Sequence, residues 1–219
     1  MIYRSVGAKS LHHFCQLDKL VQNQDLTLFL SKIINMKIYL IRHTQPDVEK
    51  GICYGSSDLD VVDTFPTEAA AVKAVLPTIT KETKIFSSPL QRCHKLAQFI
   101  AEDHPVTIEK RLTEISFGEW ELKPWRSFGK ETLIKWKDNF VHTPCPGGES
   151  YQSVYNRAKE LYEEVLQMKA DQVFLVNHSG VIRAFLCHLQ GIPLPNAFDE
   201  QFGFGVVFEI ENGVVKQLK

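Results

Sequence analysis

Hydrophobic and polar positions follow two alternating periods along most of the chain. From Met36 onward, short apolar runs bounded by turn residues alternate with stretches whose apolar positions recur every three to four residues. That is the pattern of strands joined by amphipathic helices. Lys37–Ile41, Lys84–Ser87 and Gln172–Val176 read as strands, the last of them buried. Helices are expected over Thr67–Leu76, ended by Pro77, and over Glu131–Val141, with Leu133, Trp136 and Phe140 on one side and Pro144 and Pro146 beyond. Further helices are expected over Glu149–Met168 and Val181–Leu189. Ser88-Pro89 is a helix-start signal, a capping hydroxyl before a proline at the first helical position, and it leads into Leu90, Cys93, Leu96, Ala97 and Ile100 at helical spacing. Ile108–Ile115 reads as a short edge strand with a loop. Gly205–Ile210 and Val214–Leu218 read as a terminal hairpin around Asn212-Gly213. This alternation predicts an α/β fold with a mainly parallel central sheet.

The first 35 residues have a different composition. They hold no Pro, no Glu and one Gly, and Arg4, Lys9, Lys19 and Lys32 outweigh Asp18 and Asp25. Asp18–Ile34 is compatible with one amphipathic helix. The segment lacks the small-residue cleavage site of a signal peptide and the arginine richness of a mitochondrial presequence. Residues 1–35 are therefore expected to be an extension, helical or absent from a native chain that starts at Met36, and residues 36–219 the functional domain.

Composition narrows the class. With 44% hydrophobic and 23% charged residues over 219 positions, the chain resembles ordinary globular proteins. Lys and Arg number 25 against 26 Asp and Glu, so no basic field exists to hold nucleic acid or an acidic membrane. Cys15, Cys53, Cys93, Cys145 and Cys187 are scattered and odd in number, which suits reduced thiols in a cytoplasmic protein. No apolar run approaches the ~18 residues of a membrane span. A small molecule is the expected partner, and the oligomeric state is left open.

Two strands end in the same way. Leu40-Ile41 runs into Arg42-His43, and Phe174-Leu175-Val176-Asn177 runs into His178. Ligands of open parallel sheets bind outside the carboxyl ends of strands, so the two histidines can share a crevice. Arg92 falls in the first turn of a helix, whose amino end favours anions. Phosphate is the obvious anion, with forked donors from Arg42 and Arg92 and a third from a protonated His178. Glu114, just before an apolar residue in an expected strand, suits a partly desolvated general acid with a raised pKa, although Glu119 and Glu121 stand close by. Glu149 fits the first turn of its helix. Helical spacing makes Trp136 a core or lid residue, whereas Trp120, Trp125 and Tyr54 lie in loops and can line an aromatic base. The other histidines show no metal-ligand spacing.

Taken together, Arg42-His43-Thr44, Ser87-Ser88-Pro89-Leu90-Gln91-Arg92-Cys93, Glu114 before Phe117-Gly118-Glu119-Trp120-Glu121, Pro146-Gly147-Gly148-Glu149-Ser150 and Asn177-His178-Ser179-Gly180 resemble the motifs of the histidine phosphatase superfamily. The likeness covers about residues 36–190 in order. Ser179 and Leu122 depart from it, each standing where glycine is commoner. The resemblance implies a three-layer α/β/α fold and a metal-free, cofactor-free hydrolysis of phosphomonoesters through a phosphohistidine. It implies that His43 attacks phosphorus, that Arg42, Arg92 and His178 hold the equatorial oxygens, and that Glu114 protonates the leaving oxygen and later activates water. Thr44, Tyr54, Gly55 and Ser179 are the further substrate contacts it implies. His43-Thr44-Gln45-Pro46-Asp47 and Gly51-Ile52-Cys53-Tyr54-Gly55-Ser56-Ser57-Asp58 resemble the α-ribazole phosphatase branch more closely. That branch acts in cobalamin assembly. A broad-specificity phosphatase, a phosphoglycerate mutase-like enzyme and a non-catalytic phospho-ligand or partner-binding protein are the alternatives, and the last of these implies a damaged site.

Overall fold

The structure, a computed structural model, describes residues 36–219. The expected helix at Asp18–Ile34 and the proposed extension 1–35 lie outside the described residues. Along the chain run β1 (Lys37–Arg42), α1 (Phe65–Lys73), β2 (Lys84–Ser87), α2 (Gln91–Ala101), β3 (Val106–Ile108), α3 (Lys130–Lys137), α4 (Tyr151–Val165), β4 (Gln172–Asn177), α5 (Ser179–Gln190), β5 (Val207–Glu211) and β6 (Val214–Gln217). The strands form a six-stranded sheet in the order β3-β2-β4-β1-β5-β6. Pairing is parallel from β3 through β2 and β4 to β1, and antiparallel where β5 and β6 extend it.

The two-residue period of the strands divides the core. Ile38 and Leu40 of β1 join Val173 and Leu175 of β4 in a cluster with α4 and α5, including Val154, Leu161 and Phe185. Tyr39, Ile41, Phe174 and Val176 point the other way, into a cluster with Ala69 and Val72 of α1 and Leu96 and Ile100 of α2. Helices thus cover both faces, as parallel sheets require, and the three layers follow. All six residues of β4 are buried, which explains its nearly continuous apolar reading.

Several boundaries differ from expectation. Helix α2 starts at Gln91 with Leu90 as its cap residue, so Ser88 and Pro89 lie upstream, and the Ser88 hydroxyl is free to serve the site. The expected strand over Ile108–Ile115 ends at Ile108. A 3₁₀ turn follows at Lys110–Leu112, where the Glu109 side chain accepts from the Arg111 N–H, and Glu114 therefore lies in a loop. Ser150, not Glu149, caps α4 by accepting from the Ser153 N–H. Glu149 instead takes the Arg157 guanidinium at 3.1 Å. The terminal hairpin turns on Asn212 and Gly213 at φ 52° and 76°, the two positive angles that a type I′ turn needs.

Register brings the reading to a point. Arg42 aligns with Asn177 and Ser87 with Val176, so β1, β2 and β4 end on one edge of the sheet. His43, Ser88 and His178 continue directly from those ends.

Leu122 adopts a left-handed conformation at φ 61° with its side chain 56% exposed. This is the position where the family motif has glycine. Left-handed geometry costs a residue with a Cβ about 1–2 kcal/mol, and glycine's extra chain entropy costs about 0.5–1 kcal/mol. Leu122→Gly should therefore stabilise the fold by about 0.5 kcal/mol, read as a higher urea midpoint. A lower midpoint would show that the leucine contributes packing that outweighs its strain.

Candidate active site

His43 is 2% exposed and its backbone is fixed on both sides. Its N–H donates to Asn177 O at 3.0 Å and its carbonyl accepts from the Gly205 N–H at 3.0 Å. The ring Nδ1 lies 2.6 Å from Thr44 O. A carbonyl can only accept, so Nδ1 carries the proton and Nε2 keeps its lone pair. Burial, together with the charges of Arg92 and Arg42, holds the His43 pKa well below 6.5. The result is a neutral imidazole of fixed tautomer.

The His178 ring centroid stands 5.1 Å from that of His43. His178 is fully buried, and its Nε2 is 2.8 Å from Ser88 Oγ and 3.3 Å from Cys93 Sγ. Burial, then Arg92, then His43 drive its pKa well below 6.5. In the free site this ring is neutral, because it shares a dry enclosure with other cations.

Two guanidinium groups flank the histidines. Arg92 has no exposed surface. It donates through Nη1 to Ser57 O at 2.7 Å and through Nη2 to Gly55 O at 2.6 Å, above the Tyr54 ring. Arg42 donates to Phe202 O and lies 4.3 Å from the centroid of the Phe204 ring. Arg42 Nε, Arg92 Nε and Thr44 Oγ1 are buried without any partner. Buried polar groups are nearly always satisfied. Unspent donors on two fixed cations beside a neutral imidazole make a receptor for a multiply charged oxyanion.

The three nearby acids separate clearly. Glu114 accepts from the Gly180 N–H at 3.0 Å and the Ile115 N–H at 3.0 Å, at the amino end of α5 and two residues past His178. A Cβ at Gly180 would fall 2.3 Å from Glu114 Oε1, so any side chain there would push the Glu114 carboxylate from this seat. Glu119 is exposed. Glu121 binds the N–H groups of Gly55, Ser56 and Ser57. Gly55, an expected substrate contact, has both backbone groups engaged: its N–H goes to Glu121 at 2.9 Å and its carbonyl to Arg92. Ser179 accepts from Arg183 Nε at 3.2 Å.

Sequence reasoning did not single out Ser88, Cys93, Ser57, Phe204 or Gly205 as parts of this site. Ser88 and Cys93 lay inside a quoted motif and carried the signal. Phe204 and Gly205 had none beyond a Gly-Phe-Gly run before the hairpin.

Beside Glu114 opens a cavity of ≈ 440 Å³ walled by Ile115, Phe117, Trp125, Trp136, Phe140 and Phe198. Ile115 follows Glu114 in the chain, and Phe117 would meet a Cβ at Gly55 at 2.8 Å, so two residues of the cavity wall adjoin the acid and the loop that holds Arg92; Lys137 and Asp199 add charge to the same wall. Trp136 packs, as its helical spacing predicts, against the cluster that also takes Leu133, and touches Phe140, and Trp125 lines the cavity while Trp120 does not. Trp120 is buried with Cys53 and Cys145, Tyr54 lies under Arg92, and Trp136 joins Trp125 in the cavity wall. The Trp136 indole N–H is buried without an acceptor.

A family model for the histidine phosphatase superfamily, branch 1, matches residues 38–211. The chain belongs to that superfamily, and it is a phosphatase acting on small phosphate esters. Phosphoserine phosphatase 1 of Hydrogenobacter thermophilus is 31% identical over 168 residues, covering 73% of this chain and 78% of that protein. The adenosylcobalamin/alpha-ribazole phosphatase of Escherichia coli is 25% identical over 166 residues, covering 72% and 81%. The crystal structure of the alpha-ribazole phosphatase from Shigella flexneri superposes with a TM-score of 0.73 at 21% identity, covering 84% of this chain and 95% of that one. It shares the fold. Among the described residues no helix is long and apolar enough to cross a membrane.

Both buried imidazoles bind protons less readily than in the unfolded chain. Their contribution to stability is complete above pH 6.5 and is lost as pH falls through 6.5 towards the lower folded values. At pH 6.5, where a free imidazole is half protonated, the NMR signals of His43 and His178 should therefore report neutral rings. Half-protonation of either ring at that pH would refute this electrostatic picture.

Proposed function

We propose that His43 is the nucleophile of a double-displacement phosphatase and that Glu114 is its proton donor. The His43 Nε2 lone pair forms the P–N bond as the ester P–O bond breaks, and the departing oxygen takes a proton from Glu114. Water then attacks phosphorus and gives a proton to the Glu114 carboxylate, while the P–N electron pair returns to His43. Arg42 and Arg92 hold the equatorial oxygens, aided by Thr44, and supply positive charge that a divalent cation supplies elsewhere. His178, neutral in the free site, gains affinity for a proton once a phosphate dianion lies beside it.

One observation carries this reading: a neutral imidazole with its proton locked on Nδ1 faces guanidinium N–H groups that are buried without partners. Acid-labile, base-stable label from a radioactive phosphate ester should accumulate on His43 after rapid quenching. Label on His178, or on a serine or cysteine, would overturn the assignment.

For substrate we infer α-ribazole 5′-phosphate. The stretch around His43-Thr44-Gln45-Pro46-Asp47 supports it, as does the aromatic cavity that begins at Ile115, the residue after Glu114, whose rings offer a flat base a surface to stack on. The 31% identity to a phosphoserine phosphatase favours a second reading, in which a small amino-acid ester is the substrate. A panel of α-ribazole 5′-phosphate, ribose 5-phosphate and phosphoserine separates the two. Filling an apolar pocket is worth roughly 10- to 200-fold in kcat/KM, so the base-bearing ester should exceed ribose 5-phosphate by at least about 10-fold. Phosphoserine turned over as well or better would establish the second reading.

A further inference from the structure

The Glu121 side chain has no role in the chemistry above, yet it receives more hydrogen bonds than any other carboxylate near the site. Its Oε1 accepts from the Ser56 N–H at 3.0 Å, Ser56 Oγ at 3.2 Å and the Phe117 N–H at 2.9 Å. Its Oε2 accepts from the Gly55 N–H at 2.9 Å, the Ser57 N–H at 3.2 Å and Ser57 Oγ at 2.5 Å. Burial alone would raise its pKa, but the donors of Ser57, Phe117, Gly55 and Ser56 outweigh that cost and leave it lowered. These donors favour the carboxylate form of Glu121. Three successive backbone N–H groups curl around it in the manner of an anion nest.

Drawing the N–H groups of residues 55–57 to one side turns the carbonyls of Gly55 and Ser57 to the other. Those two carbonyls are the ones that hold Arg92 Nη2 and Nη1. A planar guanidinium bonded at both Nη atoms cannot rotate, so the direction of its free Nε edge follows from the loop. The loop has no other seat. A Cβ at Gly55 would lie 1.9 Å from Ile115 O, so it is pressed against the segment that follows Glu114, and the Phe117 bond ties that segment to the same carboxylate.

We propose that Glu121 is the positioning residue for Arg92, setting phosphate affinity through the Gly55–Ser57 loop without touching the phosphate. The inference rests on the reading of Arg92 as a phosphate-holding group. It predicts that the cost of losing Glu121 depends on whether Arg92 is present.

The test is a double-mutant cycle in the full-length protein, read as inhibition by orthophosphate and as kcat/KM for p-nitrophenyl phosphate. Bonds to a charged group are worth roughly 10- to 100-fold, so Glu121→Gln in the wild-type background should weaken both by about that factor. In an Arg92→Ala background the same change should cost less than about 3-fold, because coupled residues are non-additive. A merely structural role would give the same factor in both backgrounds, and that result overturns the proposal. If Glu121→Gln fails to fold, Ser57→Ala removes one donor and enters the same cycle, with the same non-additivity expected and equal factors again overturning the proposal. If Arg92→Ala leaves orthophosphate inhibition unchanged, the reading of Arg92 falls and this inference with it. If Arg92→Ala weakens inhibition but the cycle is additive, only the role of Glu121 falls.

Discussion

The constraint on which this structure depends is the burial of like charge. Two guanidinium groups are held next to two imidazoles, with Arg92, His43 and His178 buried and Arg42 half-buried, where repulsion between cations is stronger than at a surface. The protein meets that cost with partial charges. Arg92 rests on the carbonyls of Gly55 and Ser57, and Arg42 rests on the carbonyl of Phe202 and the face of Phe204. The histidines respond by giving up their protons. A carboxylate paired directly with either arginine would have stabilised the fold more simply, but it would also have occupied the donors that an oxyanion needs.

Negative charge is accordingly kept one step away. Glu114 is held by backbone N–H groups at the start of α5, and Glu121 by the loop behind Arg92. Each acid is bound by neutral donors. The sheet supplies the rigidity this arrangement needs, because His43, Ser88 and His178 leave three adjacent parallel strands whose register is set by cores on both faces.

Much of this was legible in the sequence, for identifiable reasons. β1, β2 and β4 are short apolar runs with sharp ends, so the residues that follow them, His43, Ser88 and His178, could be placed at strand ends without coordinates. What escaped was whatever depended on partners distant in sequence. Glu114 read as a strand residue because Thr113 and Ile115 flank it, but no neighbouring strand reaches that far, and β3 ends at Ile108. The protonation of His178 depends on Arg92 and on burial, neither of which a linear pattern reveals. Trp136 packs as its helical spacing predicts, but Trp120 turned inward from its loop, because a place in a loop does not show which side chains face the core.

The segment before β5 has a consequence for the life of the chain. Arg42 reaches across 160 positions to Phe202, Phe204 covers its guanidinium, and Gly205 closes the backbone of His43. The same segment leads directly into β5, which lies antiparallel beside β1. During synthesis from the amino end, the parallel half of the sheet and both histidines emerge long before the residues that organise Arg42. A nascent chain that has folded β1 through α5 holds the chemistry's side chains without the enclosure that neutralises and aims them. The finished site therefore draws on both ends of the domain, and the antiparallel margin of the sheet is as much a part of it as the parallel strands that carry the histidines.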